Sequence, residues 1–105
     1  MTSRSASSDL AEHPPVQVIP FDRLRQESRS IDGRVHVVID ANERMLPLRA
    51  IARLAVLRRR IRACGGDLIV VAGAETAGLL RHYRLEQAVP YRSDLALAVD
   101  ALHSR

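Results

Sequence analysis

Two short β-branched apolar runs on either side of one long amphipathic segment restrict this chain more than any other feature. Arg34-Val35-His36-Val37-Val38-Ile39-Asp40 ends on an acid, and Asp67-Leu68-Ile69-Val70-Val71-Ala72-Gly73 ends on a glycine. Each run is too short for a stable buried helix and too continuously apolar for a strand with one wet face. Both therefore read as strands covered on two sides, as in a parallel sheet. Residues 47–64 between them are long enough for a crossover helix, so the unit is strand, helix, strand, with a right-handed connection expected.

The middle segment has the period of a helix. At 100° per residue, Leu48, Ala50, Ile51, Leu54, Ala55, Leu57 and Ile61 share an arc of about 180°. Arg49, Arg53 and Arg60 fall together within about 40° on the opposite side. Pro47 suits the first turn, where its missing N–H costs nothing. Gly65 or Gly66 can adopt the left-handed conformation that ends the helix. Arg58 and Arg62 point towards the apolar arc, close enough to the C-terminal end to snorkel past the sheet edge and complement the helix dipole.

The rest of the chain extends the same alternation. Residues 1–15, rich in Ser with two Pro and few apolar side chains, read as a disordered tail, and residues 16–105 as one domain. Val16-Gln17-Val18-Ile19, stopped by Pro20, is a strand suited to an edge. Residues 21–30 form a helix candidate with a solvated ladder of Asp22, Arg23, Arg25, Glu27 and Arg29. Asp32-Gly33 is a turn. Residues 74–83 form a short helix with Leu79, Leu80 and Tyr83 inward, and an extended piece follows around Val89-Pro90-Tyr91. Ser93 can cap a last helix over 94–103, on which Leu95, Val99 and Leu102 make a stripe. The expected architecture is α/β: a small mixed or parallel sheet with helices packed mainly on one side.

Several chemistries lack support in these residues. All 16 basic residues are Arg, against 12 acids, and the one dense cluster, Arg58-Arg59-Arg60-Ile61-Arg62, reads as a solvated helix end. Aromatics are 3% of the chain, which leaves little surface for stacking bases, so no direct nucleic-acid partner is expected. Cys64 stands alone and reads as a half-buried packing residue, and no His pair has metal-ligand spacing. No metal or cofactor is expected, and no nucleophile elbow or acid–base pair marks an enzyme. His36 reads as a packed strand residue, and His82 and His103 as surface residues. Gly73 and Gly78, between a strand and a helix N-terminus, are a weak nucleotide-binding candidate without the lysine of a P-loop. With no apolar run of 18 residues and no leader-like segment, the chain is expected in the cytoplasm without a membrane partner.

Over residues 35–102 the chain resembles the STAS domain, the fold of bacterial anti-sigma factor antagonists. The resemblance lies in the strand ending at Asp40, the Arg-rich helix, and Ala63-Cys64-Gly65-Gly66-Asp67-Leu68-Ile69-Val70-Val71. It continues through Gly78-Leu79-Leu80, Leu85-Glu86-Gln87-Ala88-Val89-Pro90-Tyr91 and Ser93-Asp94-Leu95-Ala96-Leu97-Ala98-Val99. It implies a module that regulates transcription by docking to an anti-sigma factor with serine kinase activity. In the family's signalling members that kinase phosphorylates a Ser or Thr at the start of the helix after the Asp-ending strand, and the added charge blocks docking. Here the corresponding residues, Arg44-Met45-Leu46-Pro47-Leu48-Arg49-Ala50-Ile51, include no Ser or Thr. The resemblance therefore implies an unswitched member with a docking surface at Asn42, Glu43, Arg44, Met45, Leu46, Arg49 and Arg53. Met45 and Leu46 would supply apolar anchors and the arginines complementary charge. An accessory subunit of a transport or sensory assembly, or a small-ligand sensor using the Gly73 turn, are the alternatives. The reduced N-terminal strand region leaves an edge at which two copies could pair.

Overall fold

The computed structural model describes residues 14–104. Four strands, β1 (Val16–Pro20), β2 (His36–Ala41), β3 (Leu68–Ala72) and β4 (Tyr91–Arg92), form one sheet in the order of the sequence. Every pair is parallel, so the sheet is not mixed. Of the tail expected over 1–15, all but Pro14 and Pro15 lies outside the described residues.

A parallel sheet in sequence order places successive crossovers of one hand on one face. The β1–β2 connection is a broken helix: a 3-10 turn (Phe21–Arg23), one α-helical turn, α1 (Leu24–Glu27), and a second 3-10 turn (Ser28–Ser30). The other two connections are α2 (Leu48–Ala63) and α3 (Ala74–His82). All three pack on the sheet face formed by Val37, Ile39, Leu68 and Val70. The last helix, α4 (Leu95–His103), crosses to the other face, against Val38, Ile69 and Val71. The strands are therefore covered on both sides, as their unbroken apolar runs require. β1 is an edge strand, and its Val18, on the face that α4 covers, remains 41% exposed.

Helix α2 follows the helical period closely. Ala50, Ile51, Leu54, Leu57 and Ile61 are its buried residues, while Leu48, at the first turn, is exposed. Pro47 stands one place before the helix, in extended backbone, and its carbonyl accepts from the N–H of Ile51. At the other end Gly65 takes φ +93°, and a Cβ on Gly66 would fall inside the Val35 carbonyl. The Gly-Gly pair thus does two jobs: one glycine reverses the chain and the other lets it pass against the sheet.

Arg58 turns inward, as its place beside the apolar arc implies, and leaves the solvated cluster expected of residues 58–62. Its Nε donates to Asp67 Oδ1 at 2.9 Å and its Nη1 to the Gln87 carbonyl at 2.6 Å. Asp67 also accepts from the Leu68 N–H at 2.7 Å. One guanidinium therefore ties α2 to the start of β3 and to the loop before β4. Arg59, Arg60 and Arg62 are exposed.

Three further expectations are corrected. Cys64 is exposed, because α2 has ended and the chain is turning away from the core. Tyr83 is half exposed, because Arg84, at φ +56°, reverses the chain directly after it. On α4 the buried positions are Ala98 and Leu102, with Leu95 39% exposed, and Asp94 rather than Ser93 is the cap. His36 is buried in its strand and His82 and His103 are exposed, as expected.

Candidate functional site

The loops leaving the C-terminal ends of β1 and β2 are held by side-chain contacts to one another and to α3. After β2 the chain turns at once: Asp40 Oδ1 accepts from the Asn42 N–H at 3.2 Å, and the Arg44 N–H donates to the Ala41 carbonyl. Short Asx-type bonds of this kind replace the strand ladder where pairing stops.

The loop is then fixed from behind by Thr76 of α3. The Leu46 N–H donates to Thr76 Oγ1 at 3.1 Å, and the same hydroxyl donates to the Arg44 carbonyl at 3.1 Å. Thr76 is 1% exposed, and its bond to Leu46 is fully buried while that to the Arg44 carbonyl is partly so. Met45, between the two pinned backbone groups, projects into solvent with 57% of its surface exposed. Thr76→Val should strand the Leu46 N–H and cost about 1–3 kcal/mol. Thermal melting measures that loss, and faster hydrogen exchange confined to residues 42–46 would place it in the loop.

Arg44 closes the other side. Its guanidinium pairs with Asp22, in the turn after β1, and lies over the Phe21 ring with 5.7 Å to the centroid. The loops after β1 and β2 are thereby joined by a charged and a cation–π contact on one side chain. Both partners are more than half exposed, so the pair orients the loops more than it stabilises the fold.

The expected docking residues are divided between two concavities. Asn42, Glu43, Arg44 and Met45 line a crevice of about 400 Å³ against Gly73 and Glu75. Arg44 also lines, with Arg53, a larger groove of about 590 Å³ between the β1–β2 connection and α2. Arg49 is exposed at the start of α2. Leu46 belongs to neither: at 1% exposure it is part of the core and is no contact anchor. Its apolar character, the reason to expect it in an interface, is spent on holding the loop to the domain.

Gly73 has a packing reason for being glycine. A Cβ there would come within 2.7 Å of the Asn42 carbonyl, so the β2 and β3 loops touch through it. Gly78 lies inside α3, where a Cβ would meet open space. Glu75 stands in the first turn of α3 and already complements the helix dipole, as an anion would. Among the described residues no cluster of His, Cys, Asp or Glu is arranged to hold a metal ion. None of their helices is long and apolar enough to cross a membrane.

Sequence reading missed Thr76 and the groove residues Phe21, Leu24, Arg25, Arg29, Val56 and Arg60. The spacing of Phe21, Arg25 and Arg29 does mark one helical side, as Arg53 and Arg60 do on α2. Only the pairing of β1 with β2 sets those two sides against each other. No family model, curated protein or solved structure matches the chain.

Proposed function

We propose that this domain is a non-enzymatic protein-interaction module of the anti-sigma antagonist type, resembling a STAS domain that has lost its serine switch. The observation that carries the reading is the presentation of Met45. An exposed apolar side chain stands between two backbone groups fixed by one buried hydroxyl, with Arg49 and Arg53 exposed on the adjoining helix. A rigid apolar tip beside charged neighbours is the anatomy of an interface anchor, because little conformational entropy is lost when it docks.

The loop also fits a module without a serine switch. The hydroxyl that stands behind it is that of Thr76, which is buried and occupied by two hydrogen bonds, so a kinase has no acceptor to reach there. The partner in this reading is an anti-sigma factor with kinase activity, or a related regulator, and docking changes transcription by sequestering it.

Affinity capture with the full chain, followed by mass spectrometry, tests the proposal. An anti-sigma kinase or sigma-pathway protein should be retained by the natural sequence and lost, by about tenfold or more, on Met45→Asp with Arg49→Glu. Both substitutions are on the surface and should leave melting within a few degrees of the parent. Capture that survives the double substitution would remove this surface, and recovery of transport or sensor subunits would reassign the module.

A further inference from the structure

The largest concavity among these surfaces is not at the Met45 tip but beside it, where the β1–β2 connection lies against α2. Its floor is apolar, formed by Leu24, Leu57 and Val56, and Val56 is 52% exposed in the middle of an otherwise charged helix face. Five guanidinium groups, Arg25, Arg29, Arg44, Arg53 and Arg60, surround that floor, against a single carboxylate, Asp22. The lining therefore carries a formal surplus of four positive charges, five Arg against one Asp. Asp22 is engaged by Arg44, and among the described residues no carboxylate pairs with Arg25, Arg29, Arg53 or Arg60.

We infer that this groove receives an acidic amphipathic helix of a protein partner. The inference rests on the reading of the domain as a docking module and adds the chemistry of what docks. Apolar residues of the incoming helix, spaced i, i+3 and i+4, lie on Leu24, Val56 and Leu57, and carboxylates on its flanks meet the surrounding arginines. Guanidinium groups drawn from two elements into the lining of one groove repel when it is empty and are relieved by an anionic occupant, so charge complementarity favours acid on both edges of the helix. Nucleic acid suits the site less well. The lining offers little aromatic surface on which a base could stack, because its one ring, Phe21, is already covered by Arg44. An occupant held this way should bind more weakly as salt rises, with the apolar contacts setting the residual affinity.

Selection of binding peptides from a display library of random 16-residue segments, with the full chain as bait, tests the inference. The expected enrichment is for Glu or Asp flanking Leu, Ile, Phe or Met at helical spacing. Synthetic copies of the enriched peptides should lose affinity by about tenfold or more on Arg25→Glu with Arg53→Glu, and by a similar factor on Val56→Asp. Each variant is checked for unchanged melting. The same peptides should still bind Met45→Asp with Arg49→Glu, which separates this groove from the loop tip. Failure here with intact partner capture at Met45 would sink the groove and spare the docking reading. Enriched peptides that lack acids, that bind the Arg25/Arg53 variant equally, or that bind no better than polyglutamate would overturn the inference. So would tighter binding of duplex DNA or anionic vesicles to the same arginines. A several-fold gain in peptide affinity on Asp9→Arg with Glu12→Arg would assign the groove to the chain's own N-terminal residues and overturn it as well.

Discussion

Leu46→Asp is expected to leave the chain largely unfolded at 25 °C, while Met45→Asp, one residue earlier, folds as the natural sequence does. Leu46 is 1% exposed and packs in the cluster between the sheet and α2. An aspartate there must either bury an unpaired carboxylate, at several kcal/mol, or take up a proton and still forfeit the leucine's apolar burial. The total stability of a domain this size is about 5–15 kcal/mol, so the substitution consumes most of it. Met45 is 57% exposed, and a charge there changes stability by no more than about 0.5 kcal/mol. Far-UV circular dichroism and thermal melting of the two variants decide the matter. A cooperative, near-parental melt for Leu46→Asp would mean that the loop can detach from the core, and that Leu46 is available to a partner after all.

The second large effect is expected at Asp67. Asp67→Ala should lower the unfolding free energy by about 3–5 kcal/mol, because it removes one half of a buried charged pair. The side chains of Arg58 and Asp67 are 11% and 5% exposed, so neither is well screened by water. Without the carboxylate, Arg58 keeps only its bond to the Gln87 carbonyl, and the Leu68 N–H loses its acceptor at the first residue of β3. At about 4–8 °C per kcal/mol the melting temperature should fall by roughly 12–40 °C. The double variant Arg58→Met with Asp67→Asn should cost less than the sum of its single substitutions, because each single change strands a group that the double change neutralises. Additive losses would mean that the two residues act separately and that the pair is incidental to the docking of α2 on β3.

Both positions show how local and tertiary information divide in this chain. The strands at Val35–Ile39 and Leu68–Ala72 were legible because a continuous apolar run of five or so residues has one economical solution, burial on two faces. The helix between them was legible because its apolar positions recur at the helical period and its ends carry proline and glycine. The edge position of β1 followed from Pro20, which has no N–H to give a further neighbour. These are properties of a few adjacent residues, and the backbone obeys them wherever the chain goes.

The candidate site was legible only in part. Asn42, Glu43, Arg44, Met45, Arg49 and Arg53 are exposed, but Leu46 is not, and composition could not separate Met45 from Leu46. What separates them is Thr76, thirty residues away, whose hydroxyl fixes the loop on both sides of Met45. Arg58 likewise belongs by sequence to a basic cluster and by structure to the buried carboxylate of Asp67. The groove depends entirely on strand order, since Arg25 and Arg29 face Arg53 and Arg60 only because β1 lies beside β2. Sequence alone therefore determined the main strands and the long helix α2, whose causes are local periodicity and backbone chemistry, but not the broken helix after β1. Which side chains are free to meet a partner was decided by the tertiary structure, because burial and charge pairing are set by residues distant in the chain.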